Sequence, residues 1–334
     1  MSNSYRGKNV IITGGLGFIG SSLAIEIVNQ GGNVTIIDNH EDLYGGNYFN
    51  INSIQDRVDI KEINAVNVYE YSTELNKADY IFHLAAQVSY IDSLSMPEKD
   101  LEYNSISTLN ILEHLRRNNR DAKVIYASSR MVYGKINTPK VDEFHPTNPL
   151  SLYAVHKLTS EKYLQMYAND FDISTTSLRI TNPYGPRQQI KHNKYSLVGW
   201  FIKEAMDNHE INIYGDGDQY RDYIFIDDIV DGLVAVGLCT KCAGEVYNLG
   251  YGESVMFKDM VHMIVDIVGS GKIKHIKWPE DYELVETGHF KVCVGKLSTL
   301  IDWKPKYSLH EGIIKTYEYY KEYRDNYSYV RNFL

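Results

Sequence analysis

The sequence predicts an α/β fold, a doubly wound parallel sheet with a smaller C-terminal α/β lobe. Three observations point there. Short apolar runs alternate with amphipathic, helix-length stretches through the first half of the chain, as successive βαβ units require. The runs are apolar almost throughout rather than at every second residue, which suits strands covered on both faces. A glycine-rich turn, ITGGLGFIG (12–20), directly follows the first run.

In chain order, strands are expected at 9–13 (NVIIT), 33–38 (NVTIID), 58–63 (VDIKEI), 79–84 (DYIFHL), 123–128 (KVIYAS) and 173–180 (ISTTSLRI). Helices fit 18–30, 97–119 and 150–169. Beyond 181 the pattern is less regular. Prolines and glycines cluster at NPYGPR (182–187) and YGDGDQ (214–219), and helices at 227–238 and 257–268 flank a strand at EVYNLG (245–250).

Composition narrows the function. With 334 residues, 43% of them hydrophobic, the chain can build one large core or two smaller ones. The net charge of −9 and the lack of a basic stripe argue against nucleic acid. Any phosphate site must then be local, made of backbone N–H groups or single arginines. No apolar run approaches the roughly 20 residues that span a bilayer, and the N-terminus has no apolar signal core, so no membrane contact and a cytoplasmic location are expected. Three cysteines make no disulfide framework. Cys239-Thr-Lys-Cys242 is expected to be two thiols at a helix end, because no second CxxC or histidine pair completes a metal site. Of the 28 tyrosines, many fall in YEYYKEYRDNYSY (317–329), expected to be a half-wet helical surface.

Gly14, Gly17 and Gly20 give GxxGxxG between a strand and a helix, with Phe18 and Ile19 opening the helix. Such a turn brings backbone N–H groups up to a pyrophosphate at a helix N-terminus. Asp38 ends the next strand, where a carboxylate binds ribose hydroxyls and repels a 2′-phosphate. Asn39-His40 follow it, with no arginine. The set reads as a Rossmann-type dinucleotide site for NAD rather than NADP.

Tyr153 and Lys157 in LYAVHK (152–157) are four residues apart and share a helix face. A nearby ammonium and a bound nicotinamide cation favour tyrosinate, which can take a proton from an alcohol as its carbon loses hydride to NAD. Lys157 can also hydrogen-bond the nicotinamide ribose. A hydroxyl from Ser128 or Ser129, at the start of SSRMVYG (128–134), can hold that alcohol.

Taken together, TGGLGFIG (13–20), HLAAQ (83–87), Asn104, SSRMVYG, YAVHK (153–157), RITNPYGPR (179–187) and RDYIFIDDIVDG (221–232) resemble the extended short-chain dehydrogenases/reductases of the nucleotide-sugar epimerase/dehydratase group. The likeness spans nearly the whole chain. It implies a nucleotide-binding domain, 1–181 plus roughly 222–250, and a nucleotide-sugar lobe, 182–221 plus 251–334. It implies that Leu84, Ala85 and Ala86 line the cofactor, with Asn64 and Ala65 near the adenine, Asn39 beside Asp38, and Asn104 on the nicotinamide side. The family's D-x-x-D near the adenine is here Asn64-Ala65-Val66-Asn67. Ser129, Tyr153 and Lys157 match the catalytic set. Gln87, Ser89, Ser129, Arg130, Asn182, Arg187 and Arg221 fall on the substrate side, Asn182 and Arg221 toward the phosphates. A second phosphate-binding arginine is missing from LVETGHF (284–290), so Arg187 or Lys191 is expected to compensate, with HNKY (192–195) lining the pocket. GKLSTLIDWKP (295–305) resembles the family's usual ending. The likeness also implies a homodimer packed through the helices near 97–119 and 150–169.

Members that eliminate water from C5–C6 carry Asp-Glu directly after the catalytic Ser/Thr, and decarboxylating members carry a glutamate in that stretch. Here the positions hold Arg130 and Met131, neither able to transfer a proton. Oxidation at C4 of a nucleotide-diphosphate sugar is retained. The expected reaction is 4-epimerisation, with 4-dehydrogenation, 4-ketoreduction and a non-catalytic NAD(H)-sensing role as alternatives. Met131 is expected to pack a pocket wall and Arg130 to bond nearby carbonyls or a carboxylate, with a substrate-shaping role for the pair as the alternative.

Overall fold

The computed structural model describes residues 4–41 and 44–328. Its strands are β1 (Asn9–Thr13), β2 (Asn33–Asp38), β3 (Val58–Glu62), β4 (Tyr80–His83), β5 (Lys123–Ser129), β6 (Thr175–Ile180), β7 (Asn182–Tyr184), β8 (Glu210–Tyr214), β9 (Tyr220–Phe225), β10 (Glu245–Leu249), β11 (Ser254–Met256) and β12 (Lys272–Ile276). Seven form a parallel sheet in the order β10-β6-β5-β4-β1-β2-β3. The chain winds outward from β1 through β2 and β3, then returns to β4 and winds the other way. A crevice opens where the direction reverses, beyond the strand C-termini.

The apolar runs are buried as double-sided cover demands: every residue of β6 is buried. On one face, Leu23 and Ile27 of helix Phe18–Asn29 and Leu233 and Val236 of helix Ile226–Leu238 share a core with Ile12 and Phe82. On the other, Ile111 and Leu115 of helix Ser107–Asn118 and Leu164 of helix Leu152–Phe171 join Ile11, Ile81 and Val124.

The stretch expected as one helix over 97–119 is three pieces: Pro97–Leu101, a π-helical turn Glu102–Ile106, and Ser107–Asn118. The wider turn lets the Asn104 carbonyl accept from Ser160 Oγ at 2.6 Å, tying this helix to Leu152–Phe171. The second lobe holds a three-stranded sheet, β11-β9-β7, and the pair β12-β8. β9, which a boundary at 222 would divide, belongs wholly to the small sheet, so helix Ile226–Leu238 and β10 make the return to the large one.

Two local expectations change. Cys239 and Cys242 form a disulfide, their Cα atoms 5.5 Å apart across one turn, inside the range that bridging requires. In the tyrosine-rich end, Tyr317, Tyr319 and Tyr323 are half-buried as expected, but Tyr320 and Tyr327 are fully packed beside Ile190, and Tyr327 OH donates to Asn50 Oδ1 at 2.6 Å. Tyr329 lies outside the described residues. Among the described residues no helix is long and apolar enough to cross a membrane.

Candidate active site

A cavity of about 530 Å³ lies beyond the C-terminal ends of the large sheet, between it and the second lobe. Gly14, Gly17, Phe18, Ile19 and Gly20 form one end. Gly14 has φ +73°, and a Cβ there would come within 2.8 Å of the Ala85 nitrogen; a Cβ on Gly20 would come within 2.2 Å of the Gly14 oxygen. The turn is therefore closed against the loop after β4, which Thr13 secures by accepting from the Leu84 and Ala85 N–H groups, both at 3.1 Å. No side chain caps helix Phe18–Asn29, which leaves its first N–H groups to a ligand.

Asp38 accepts from the Leu16 N–H at 2.9 Å and the His40 N–H at 2.8 Å. Burial pushes its pKa up, against the pull of these two bonds. Each oxygen keeps lone-pair capacity for a ribose hydroxyl. Asn39 donates to Glu41 at 3.0 Å and to the Tyr103 hydroxyl at 3.1 Å, so a second carboxylate stands nearby. Asn64 accepts from the Val66 N–H at 3.1 Å, leaving its amide donors to the cavity that it lines with Ala65, Leu84, Ala85 and Ala86. A glycine cradle, an uncapped helix start, and carboxylates where a 2′-phosphate would fall fit NAD.

At the other end, β5 terminates in Ser129, which accepts from the Met131 N–H at 3.2 Å. Helix Leu152–Phe171, capped by Ser151, brings Tyr153 and Lys157 alongside. Burial pushes the Tyr153 phenol up to about 12, opposed by a hydrogen bond with Ser129 and the charge of Arg130. Burial also pushes Lys157 down to about 8, against Asp100 and Glu161. Lys157 Nζ donates to the Ala127 carbonyl at 2.9 Å and lies 5.9 Å from the Tyr153 ring centroid. Arg130 adds a second cation beside the phenol, one that spacing within the helix did not predict.

Ser128 turns away and donates to Glu161 at 2.5 Å, in a buried network with Arg179. Asn182 and Arg221 line the cavity. Arg221 donates to the Tyr220 and Gly288 carbonyls, at 2.9 and 2.7 Å, and pairs with Glu286 at 2.5 Å. Six sequence candidates do not line the cavity: Gln87, Ser89, Asn104, Arg187, Lys191 and His192. Gln87 and Ser89 are wholly buried and bond each other, and Asn104 donates to the Gln87 carbonyl at 2.9 Å. These three shape the loop behind the cofactor end. Arg187 turns toward Ser22, 3.5 Å away, and does not compensate for the missing arginine. Asn193, Lys194 and Tyr195, by contrast, line the cavity.

Sequence reading missed the aromatic wall of Tyr214, Trp278 and Tyr282, with ring centroids 5.4 Å apart in each contact with Tyr214. These residues come from separate segments without a local signature. It also missed Glu286 and Thr287, whose stretch was read only for the arginine it lacks.

Compared with known proteins, the chain matches the NAD dependent epimerase/dehydratase family over residues 10–250. It is 31% identical over 314 residues to the UDP-glucose 4-epimerase of Mycolicibacterium smegmatis, spanning 93% of this chain and 98% of that one. It is also 31% identical over 333 residues to the UDP-N-acetyl-alpha-D-glucosaminuronate decarboxylase of Bacillus cytotoxicus, spanning 94% and 98%. The UDP-glucose 4-epimerase of Thermotoga maritima, solved with UDP-glucose, superposes with a TM-score of 0.84 at 28% identity, over 94% of this chain and 99% of that one.

Proposed function

The chain belongs to the NAD-dependent epimerase/dehydratase family and is an NAD-dependent enzyme, and on that premise we propose that it epimerises C4 of a nucleotide-diphosphate sugar through a 4-keto intermediate. The observation carrying this reading is the pairing of Ser129 and Tyr153 at one end of a single cavity whose other end is a dinucleotide turn. Arg130 and Met131, next to Ser129, offer no proton for elimination at C5–C6.

Bound NAD supplies the hydride acceptor for the alcohol carbon and the donor for its return. Gly14, Gly20 and the start of helix Phe18–Asn29 hold its pyrophosphate, and Asp38 its adenosine ribose. Ser129 holds the C4 hydroxyl oxygen, and Tyr153 takes the hydroxyl proton and later gives it back. Lys157 bonds the second ribose and keeps positive charge behind the phenol ring. With protein groups alone around it the phenol stays protonated far above pH 7, so proton transfer depends on charge that arrives with the ligands. The keto sugar then turns in the cavity before reduction from its other face.

Incubation of the NAD-loaded protein with UDP-glucose, UDP-galactose and their N-acetyl and uronate counterparts, followed by NMR of the products, tests this. C4 epimers are expected. A stable 4-keto product would make the protein a dehydrogenase, and loss of C6 as CO2 a decarboxylase. Tyr153→Phe should abolish turnover and keep NAD; unchanged behaviour would favour a sensing protein. The same reading takes the enzyme to be a cytoplasmic homodimer. The exposed Leu101, Val155 and Met166 on the helices near 97–119 and 150–169 support that contact, and sedimentation velocity checks it.

A further inference from the structure

Three arginines converge on the catalytic end, and two of them are neutralised. Arg179 is gripped by Glu161, with Nη2 at 2.7 Å and Nε at 3.0 Å from its carboxylate oxygens. Arg221 is paired with Glu286 at 2.5 Å. Arg130 is different. Among the described residues no carboxylate forms an ion pair with it. Its Nε donates to Asn182 Oδ1 at 3.1 Å and its Nη1 to Thr287 Oγ1 at 3.0 Å, both neutral acceptors. The guanidinium carbon lies 5.3 Å from the centroid of the Phe290 ring. These contacts fix the plane of the group and leave the rest of its five N–H donors on the side where it lines the cavity.

Arg130 is half-buried and feels Glu286 and Asp222 only at a distance, so a ligand anion that pairs with it directly gains a charge-assisted contact that the protein leaves unmade. A nucleotide sugar offers two kinds of anion, the diphosphate and a carboxylate on the sugar. Position decides between them. Arg130 follows Ser129 directly, and its charge is felt at the Tyr153 phenol, so it stands where the sugar's reacting carbon is bound.

We propose that Arg130 makes the site selective for a nucleotide-linked uronic acid, its guanidinium pairing with the C6 carboxylate of the sugar whose C4 hydroxyl meets Ser129 and Tyr153. The inference rests on the nucleotide-sugar reading of the same site. It names the class of substrate that reading left open.

The test is calorimetric titration of the NAD-loaded enzyme with UDP-glucuronate, UDP-glucose and UDP, repeated with the dTDP series. One charge-assisted pair predicts about ten- to hundredfold tighter binding of the uronate. Arg130→Met should remove most of that factor while changing the hexose affinity less than about twofold, and Arg130→Lys should restore part of it. Equal affinity of the wild type for uronate and hexose overturns the proposal without any variant. Equal weakening of both ligands by Arg130→Met also overturns it, since that is the mark of a phosphate or scaffold contact. If no nucleotide or nucleotide sugar binds at all, the nucleotide-sugar reading fails and this inference falls with it; binding of UDP without uronate preference sinks only the inference.

Discussion

Lys157→Met should make the folded protein more stable while destroying its activity. Lys157 is only 3% exposed, and burial drives its ammonium from 10.5 down to about 8. That drop is worth roughly 3 kcal/mol at about 1.4 kcal/mol per pKa unit. Below pH 8 the lysine is charged in both the folded and the unfolded chain, so the folded state bears the whole penalty. Between about 8 and 10.5 the unfolded chain holds the proton and the folded one does not, so stability rises with pH across that window. Methionine keeps the unbranched shape and removes the charge. It forfeits the bond to the Ala127 carbonyl and leaves that oxygen unpaired, at a cost of about 1–2 kcal/mol. The net gain is about 2 kcal/mol near pH 7, or about 3 °C in Tm for a chain of this length. Calorimetric melts of NAD-free wild type and variant at pH 7 and pH 10 provide the assay, with the gap closing at the higher pH. Turnover should fall at least about a hundredfold. A variant that melts below wild type at pH 7, or a gap indifferent to pH, would refute the assignment of Lys157 as a buried charge kept at the expense of stability.

Asp38→Asn should weaken NAD about tenfold and shrink the discrimination against NADP, read from paired Kd values. It removes the repelling charge and turns an amide donor toward one of the two N–H groups that Asp38 now accepts. Arg179→Met should lower unfolding free energy by about 3–5 kcal/mol in urea, because Glu161 would stay buried with only the Ser128 hydroxyl as a partner. Replacing Glu161 by Leu in the same chain should recover much of that loss, since the stranded charge would be gone.

What the sequence revealed followed from how local each signal is. The strand ends, the glycine turn with Asp38, and Tyr153 with Lys157 lie within single segments, where spacing alone sets geometry. Each of the seven strands of the large sheet lies within a few residues of its expected bounds, whereas the five short strands of the second lobe had no such signal. The π-helical turn at Glu102–Ile106 was invisible, because one extra residue per turn hardly disturbs the apolar spacing. Gln87 and Ser89 show the limit in the other direction. Their motif position was right for a cavity-lining loop, but which way each side chain faces depends on Asn104, seventeen residues away. Arg221 was read for phosphate, and its partner Glu286, sixty-five residues on, could not be inferred from either segment alone.

Arg130 cannot serve two charges at once, and this gives the uronate reading a kinetic signature. Its charge pulls the Tyr153 phenol down, against the burial that raises it to about 12. A carboxylate paired with the guanidinium cancels much of that pull, so a bound uronate leaves the phenol harder to ionise than a bound hexose does. The profile of kcat against pH reports groups in the substrate complex, and that of kcat/KM reports the free enzyme. With both substrates, the rising limb of kcat/KM should therefore fall at one pH. The rising limb of kcat should lie at higher pH for UDP-glucuronate than for UDP-glucose, and Arg130→Met should move the UDP-glucose limb to higher pH. Superimposed kcat profiles in the wild type would mean that the carboxylate never meets Arg130, whatever the two affinities are.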